Sequence, residues 1–209
     1  MREVKTIVIF DTEFVSSKAG SQPLEIAMDA YELQEKKLIK FSSFSVYITL
    51  REGLHLNRYI RKYTGINEKV LEREGIYPSM AKRQTIDYFL NFDLASTLFC
   101  GWAIANDLSM FDLLFNAQDE LFEINMLRWF DLGKAYAKLN NVAHNNIPAL
   151  RHACAQYDLP NFNFHSAVSD ASATASLLQA MLDRHGLDCL YAFDEVKYKR
   201  KKYYKMRES

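Results

Sequence analysis

VKTIVIFDTEF, residues 4–14, is the stretch from which the fold is read. Its first seven residues are largely β-branched and apolar, the composition of a central strand buried on both faces. The run then delivers Asp11 and Glu13, two residues apart and therefore on one face of the strand. Two carboxylates held so close repel each other unless a cation lies between them. Oxygen ligands of this hardness suit Mg²⁺ or Mn²⁺. Taken alone, Asp-Thr-Glu also fits a strand that simply ends in water.

The elements that follow define the class of fold. Residues 24–33 and 41–50 are strand-like and are separated by polar Gln34–Lys40; Phe44, Val46 and Ile48 fall on one face of the second. Three strands in succession predict an antiparallel start to the sheet. After Gly53 the pattern turns helical, with short amphipathic pieces around Thr64-Gly65 and a full helix over 79–92 opened by Pro78 and Ser79. A short buried strand is expected over 96–101, a helix over 108–118 and a strand within 125–132. Helices follow near 133–139, 148–157 and 168–183. In the last, Ala171, Thr174, Ala175, Leu178 and Leu182 keep helical spacing on one face. Strands first, then alternating helix and strand, describe an α/β sandwich with a mixed sheet.

With 209 residues the chain reads as one domain with a small tail, and its seven Gly and four Pro argue against low complexity or a flexible linker. The apolar stretch at the N-terminus is too short for a signal peptide, and no apolar run approaches the roughly 18 residues of a membrane helix. Cys100, Cys154 and Cys189 lie far apart with no CxxC pair, which favours buried reduced thiols and a cytoplasmic protein over a zinc site or disulfide. Net charge is zero but unevenly spread, since residues 197–209 hold seven Lys or Arg against one Glu. Residues 191–209 thus form a basic, Tyr/Lys-rich tail. With Tyr198, Tyr203 and Tyr204 among its lysines, it is either an accessory nucleic-acid contact or a solvated terminus.

Two more segments carry chemistry. In GWAIANDLSMFDLLF (101–115) a buried strand ends at Gly101 and Asp107 opens a helix, where an acid also serves as a simple cap. Asp112 is rotated about 140° from it around the helix, so Asp107, nearer the strand end, is the better ligand. In HSAVSDASATASLL (165–178) Asp170 opens the last helix and His165 lies in the loop leading in. A histidine there can serve as general base, or be a surface residue before a capped helix. His55, His144, His152 and His185 read as structural or surface residues. Glu25, in LEIA (24–27), reads as a core-edge acid bonded to backbone.

In this order the three segments resemble the DEDDh exonucleases, the DnaQ-like branch of the DEDD superfamily that includes polymerase proofreading subunits and RNase T. The family's Asp-X-Glu maps onto Asp11 and Glu13, its second acidic position onto Asp107, and its HxAxxDA onto His165, Ala167, Asp170 and Ala171. LEIA, YTGINEKVLE (63–72) and FDLGKAYAKL (130–139) also look like family segments, so the resemblance spans roughly residues 5–185. Trp102-Ala103 stands where the family often has His-Asn, and Phe14 where Thr often follows the Glu.

The resemblance implies a ribonuclease H-like fold, with a central mixed five-stranded sheet flanked by helices, over residues 1–190. It implies a 3′→5′ exonuclease that releases nucleoside 5′-monophosphates with two Mg²⁺ (or Mn²⁺) ions. Asp11, Glu13, Asp107 and Asp170 would be metal ligands and His165 the base. Thr12, Phe14 and Trp102 are the expected substrate contacts, an aromatic at 14 being able to stack on the terminal nucleotide. Single-stranded or 3′-overhang DNA or RNA is the expected partner, and a polymerase is a further candidate. The alternatives are a proofreading component of a DNA polymerase, or a binding module of the same fold that has lost its chemistry. All five site positions being filled speaks against the last.

Overall fold

The computed structural model of the protein describes residues 3–115, 124–143, 146–192 and 195–199. The chain opens as an antiparallel meander of β1 (Thr6–Ser17), β2 (Gly20–Gln34) and β3 (Lys37–Ile48). Next come α1 (Arg58–Tyr63), α2 (Glu68–Glu74) and the two-residue β4 (Gly75–Ile76). After α3 (Pro78–Leu90), β5 (Thr97–Gly101) lies parallel to β1 and leads into α4 (Ala105–Phe115). β6 (Trp129–Asp131) pairs parallel with β5, and α5 (Leu132–Leu139), α6 (Leu150–Gln156) and α7 (Ala167–His185) complete the fold. The sheet order is β4-β3-β2-β1-β5-β6.

The sheet is mixed and flanked by helices, but it has six strands rather than the expected five. The sixth is β4, which pairs parallel with Tyr47 and Ile48 and is too short to show an alternating pattern. Two other boundaries also move. The helix expected from 108 starts at Ala105, and the strand expected within 125–132 shrinks to three residues behind a 3-10 turn over Ile124–Met126.

Burial along β1 sets up the layers. Ile7 and Ile9 enter a core shared with α5, α6 and α7, while Val8 and Phe10 enter a second core shared with α3 and α4. All four are at most 1% exposed, as a central strand covered on both faces requires. The second core is aromatic: Phe10 meets Trp129 at 5.2 Å and Phe111 at 5.5 Å, and Phe89 meets Phe99 at 5.2 Å, all edge-on. Such pairs add about 0.5–1.5 kcal/mol each beyond the area they bury.

On the other face α7 buries Ala171, Thr174, Ala175, Leu178 and Leu182, the stripe its spacing predicts. Ser166 caps it by accepting from the Ser169 amide, and Gly186, at φ +68°, ends it. A third apolar cluster joins Val15 and Leu24 to Leu54, Leu56, Ile60, Ile66 and Leu71, seating α1 and α2 against the far half of the β1–β2 hairpin. Asn57 and Asn67 cap these two helices through their side-chain carbonyls.

The three cysteines are buried and free. No helix among the described residues is long and apolar enough to cross a membrane. Part of the basic C-terminal stretch is described and lies against the domain. Val196 bridges to Trp129, Glu195 pairs with Arg128 at 2.7 Å, and the Tyr198 hydroxyl donates to Asp112. His144, Tyr203 and Tyr204 lie outside the described residues.

Gly101 shows how tightly the start of α4 is drawn onto β1. A Cβ there would lie 2.8 Å from Ile104 Cγ2 and 3.1 Å from both the ring and the carbonyl oxygen of Phe10. Gly101→Ala is expected to lower unfolding stability by about 1–3 kcal/mol, the usual cost of overpacking. Chemical denaturation measures this, and an unchanged midpoint would mean that the contact relaxes freely.

Candidate metal centre

β1 does not stop at Asp11. It continues past the sheet's core as a hairpin arm, with a break in register between Glu13 and Phe14. Strand alternation splits the DTE triplet. Asp11 and Glu13 point to the α7 side, continuing the row of Ile7 and Ile9, and Thr12 points to the α4 side. α7 supplies Asp170 from its first turn. Carboxylate oxygens of Asp11, Glu13 and Asp170 all lie within 4.8 Å of one another.

Asp107 approaches from the opposite layer. Its Oδ1 accepts the Thr12 amide at 3.0 Å and the Thr12 hydroxyl at 2.6 Å. It is therefore tied to β1 as well as standing at a helix start. Asp107 is outside the triad of 4.8 Å, yet its charge ranks first among those acting on Asp11, ahead of Asp170 and Glu13. Asp11 thus belongs to the triad and also feels the charge of Asp107. Asp112 belongs to a different environment, accepting from Tyr198 at 3.1 Å.

The carboxyl groups strain against one another. Burial, then Asp107, Asp170, Glu13 and Glu25, hold Asp11 well above the usual carboxylate range. Burial, Asp170, Glu25 and Asp107 push Glu13 up to about 8. Asp107 is pushed up to about 6, chiefly by burial, although the Thr12 bonds pull it down. Burial raises Asp170 too, against the pull of the His165 amide and ring. Asp170 Oδ1 is a buried oxygen with no hydrogen-bond partner among the described residues, an arrangement that costs about 1–3 kcal/mol unless something meets it. Hard oxygens, mutual repulsion and an orphaned acceptor together fit a divalent cation.

His165 lies beside the triad. Its backbone adopts φ +75°, uncommon for a residue other than glycine. Its amide donates to Asp170 Oδ2 at 3.2 Å. The ring stands edge-on to Tyr59 and Tyr63, with Nδ1 3.1 Å from the Tyr59 hydroxyl. Elsewhere, His185 bonds Tyr157 and His152 lies beside Arg151.

The three expected substrate contacts have different settings. Thr12 is buried and its hydroxyl is spent on Asp107, so it is a support for that carboxylate rather than a surface for nucleic acid. Trp102 packs against Tyr136, and its indole N–H donates to the Pro148 carbonyl. Phe14 is half-buried just past the bulge. Glu25 is the core-edge acid bonded to backbone that its place in LEIA suggests, whereas the Tyr59–Tyr63 pair had no clear signal in the sequence. Glu25 pairs directly opposite Glu13 and accepts the Ala167 amide at 3.0 Å, clamping β2 to the start of α7. The Tyr59–Tyr63 pair comes from a short helix with no family segment over Tyr59.

The RNase T exonuclease family matches residues 8–178, and the chain belongs to that family. No curated protein matches the sequence as a relative. Among solved structures, the nuclease domain of 3′hExo, described as a DEDDh family member bound to rAMP, aligns with TM-score 0.70 at 14% identity over 94% of this chain and 98% of that one. Cell-death related nuclease 4 aligns with TM-score 0.72 at 17% identity, over 87% of this chain and 65% of its own. The E. coli exonuclease I complex with single-stranded DNA gives 0.69 at 16% identity, over 88% of this chain and 42% of its own. The chain therefore spans less than two thirds of the last two proteins. The protein is an exonuclease of the DEDDh type on a ribonuclease H-like fold.

Raised carboxyl values make the folded protein hold protons more tightly than the unfolded chain does. The stability they contribute is complete below their ordinary values, near 3.8 and 4.5, and is lost as pH rises through about 6 for Asp107 and about 8 for Glu13. In EDTA the melting temperature is expected to fall from pH 5 to pH 8, and Mn²⁺ or Mg²⁺ to restore it most at the upper end. Scanning fluorimetry tests this; a metal-free melting temperature that climbs over the same range contradicts the assignment of strain to these carboxyls.

Proposed function

We propose that the protein removes nucleotides one at a time from the 3′ end of single-stranded or 3′-overhang DNA or RNA, releasing nucleoside 5′-monophosphates. The observation that carries this reading is the triad Asp11, Glu13 and Asp170, with its unpartnered Asp170 oxygen and His165 at its edge. The DNA-bound exonuclease I and rAMP-bound 3′hExo domain share the fold, which supports a nucleic-acid end as the substrate class.

Asp11, Glu13 and Asp170 would hold one divalent cation, and Asp11 with Asp107 a second, Mg²⁺ or Mn²⁺. Such cations neutralise a phosphodiester, ease deprotonation of water and stabilise a leaving alkoxide. The chain's own residues do the rest. Thr12 keeps the Asp107 carboxylate turned toward the strand. His165 accepts a proton from the attacking water as its oxygen bonds to phosphorus. The bond from phosphorus to the penultimate 3′-oxygen breaks, leaving that oxygen on the shortened strand. Phe14 and the open part of Trp102 would flank the terminal nucleotide.

Residues 1–190 would form the catalytic unit, and the basic segment 191–209 an accessory contact for phosphates, with residues 195–199 fastened to the domain. The buried thiols suit a reducing, cytoplasmic setting.

Asp11→Asn and Asp170→Asn are expected to abolish divalent-dependent digestion of 3′-labelled and 5′-labelled oligonucleotides, while circular dichroism stays native. His165→Ala should slow hydrolysis by roughly 10²–10⁴-fold, the contribution typical of a general base. Full activity in either aspartate variant removes the proposal. Label released first from the 5′ end reverses the polarity.

A further inference from the structure

The loop that carries His165 is anchored through Leu159, Phe162 and Phe164, which pack on the α7-side core, but these contacts do not set the direction of the His165 ring. The residue lies in an uncommon backbone region, φ +75°, and it precedes the cap of α7 rather than belonging to the helix. Its amide is fixed by Asp170, which places the Cα but leaves the imidazole free to turn. A base oriented only by its backbone would spend much of its time facing elsewhere, and a ring in the wrong tautomer presents N–H where a lone pair is needed.

The orienting contact comes from a part of the chain 106 residues away. Tyr59 and Tyr63 lie one helical turn apart on α1 and pack with their rings tilted by 45°, 5.0 Å between centroids. The His165 ring is edge-on to both, 5.7 Å from Tyr59 and 5.8 Å from Tyr63. The Tyr59 hydroxyl lies 3.1 Å from Nδ1, and among the described residues Nε2 has no hydrogen-bond partner. α1 itself is firmly seated, with Ile60 buried in the third apolar cluster and Asn57 capping its start. Burial, then the charges of Glu13 and Asp170, push the Tyr59 hydroxyl up, so it stays a neutral phenol.

We propose that Tyr59 is the positioning residue for His165: its hydroxyl oxygen accepts from Nδ1–H, which fixes the ring and leaves the Nε2 lone pair for the attacking water. The arrangement follows the general pattern in which a base is oriented by a third group, here a phenol on a separate helix instead of a carboxylate. The proposal rests on the reading of His165 as the base. It assigns Tyr59 no contact with the reacting atoms.

The test is Tyr59→Phe, which keeps the ring packing and removes the hydroxyl. Tyr59 is 51% exposed, so the variant is expected to fold with an unchanged melting temperature. Its kcat on a 3′-labelled oligonucleotide should fall about 10-fold, part of the roughly 10²–10⁴-fold that a general base contributes, with KM unchanged. The Tyr59→Phe/His165→Ala double variant should be no slower than His165→Ala. ¹⁵N NMR of histidine-labelled, metal-free and substrate-free protein, with His165→Ala used for assignment, should show His165 mainly as the Nδ1–H tautomer. Tyr59→Phe should shift it toward the Nε2–H form that free imidazole side chains favour. An unchanged kcat, a change in KM alone (a nucleic-acid contact instead), an additive double variant or an unmoved tautomer each overturns the positioning role. Full activity in His165→Ala is the separate result that removes the base assignment itself.

Discussion

Everything at the active end of this molecule depends on a repulsion. Asp11, Glu13, Asp107 and Asp170 are drawn into one small volume by three elements that have other reasons to meet: β1 as the central strand, α4 packed on one face and α7 on the other. The energy that presses the carboxylates together comes from burying Ile7, Ile9, Val8 and Phe10 in two separate cores. The aromatic core under α4 and the alanine-rich face of α7 let both helix starts come close to the strand. The fold thereby crowds carboxyl groups that either protons or a divalent cation would relieve, so metal binding there would be coupled to proton release.

The supports of this charge cluster are as specific as its members. Thr12, between the two β1 acids, faces the other way and spends both its amide and its hydroxyl on Asp107. Glu25 crosses from β2 to the Ala167 amide and so ties the start of α7 to the strand opposite Glu13. One residue of β1 and one of β2 thus fasten the two helical layers to the same strand pair.

Much of this was legible beforehand. The unalternating run at residues 4–10 identified the central strand, and the two-residue spacing placed Asp11 and Glu13 together on one face. The helical spacing of Ala171, Thr174, Ala175, Leu178 and Leu182 marked the face that the last helix buries. β4 was not legible, because two residues carry no period. Thr12 was expected to meet substrate from the family resemblance. Only the three-dimensional approach of α4 reveals that its hydroxyl is already engaged. The contact between Tyr59 and His165 left no trace in local pattern, since neither helix period nor strand alternation links residues 106 positions apart.

The bulge after Glu13 has one more consequence. Strand parity is what sends acids to one layer and Thr12 to the other, so adding or deleting a single residue before position 13 would exchange the two sets and dismantle the site. The break in register between Glu13 and Phe14 separates that stretch from the hairpin tip at Lys18 and Ala19, which is exposed. Beyond Val15, which helps to seat α1 and α2, the exposed tip can change length or sequence while the acids keep their side of the sheet. The hairpin tip is therefore the place where this scaffold can absorb insertions without moving its acids.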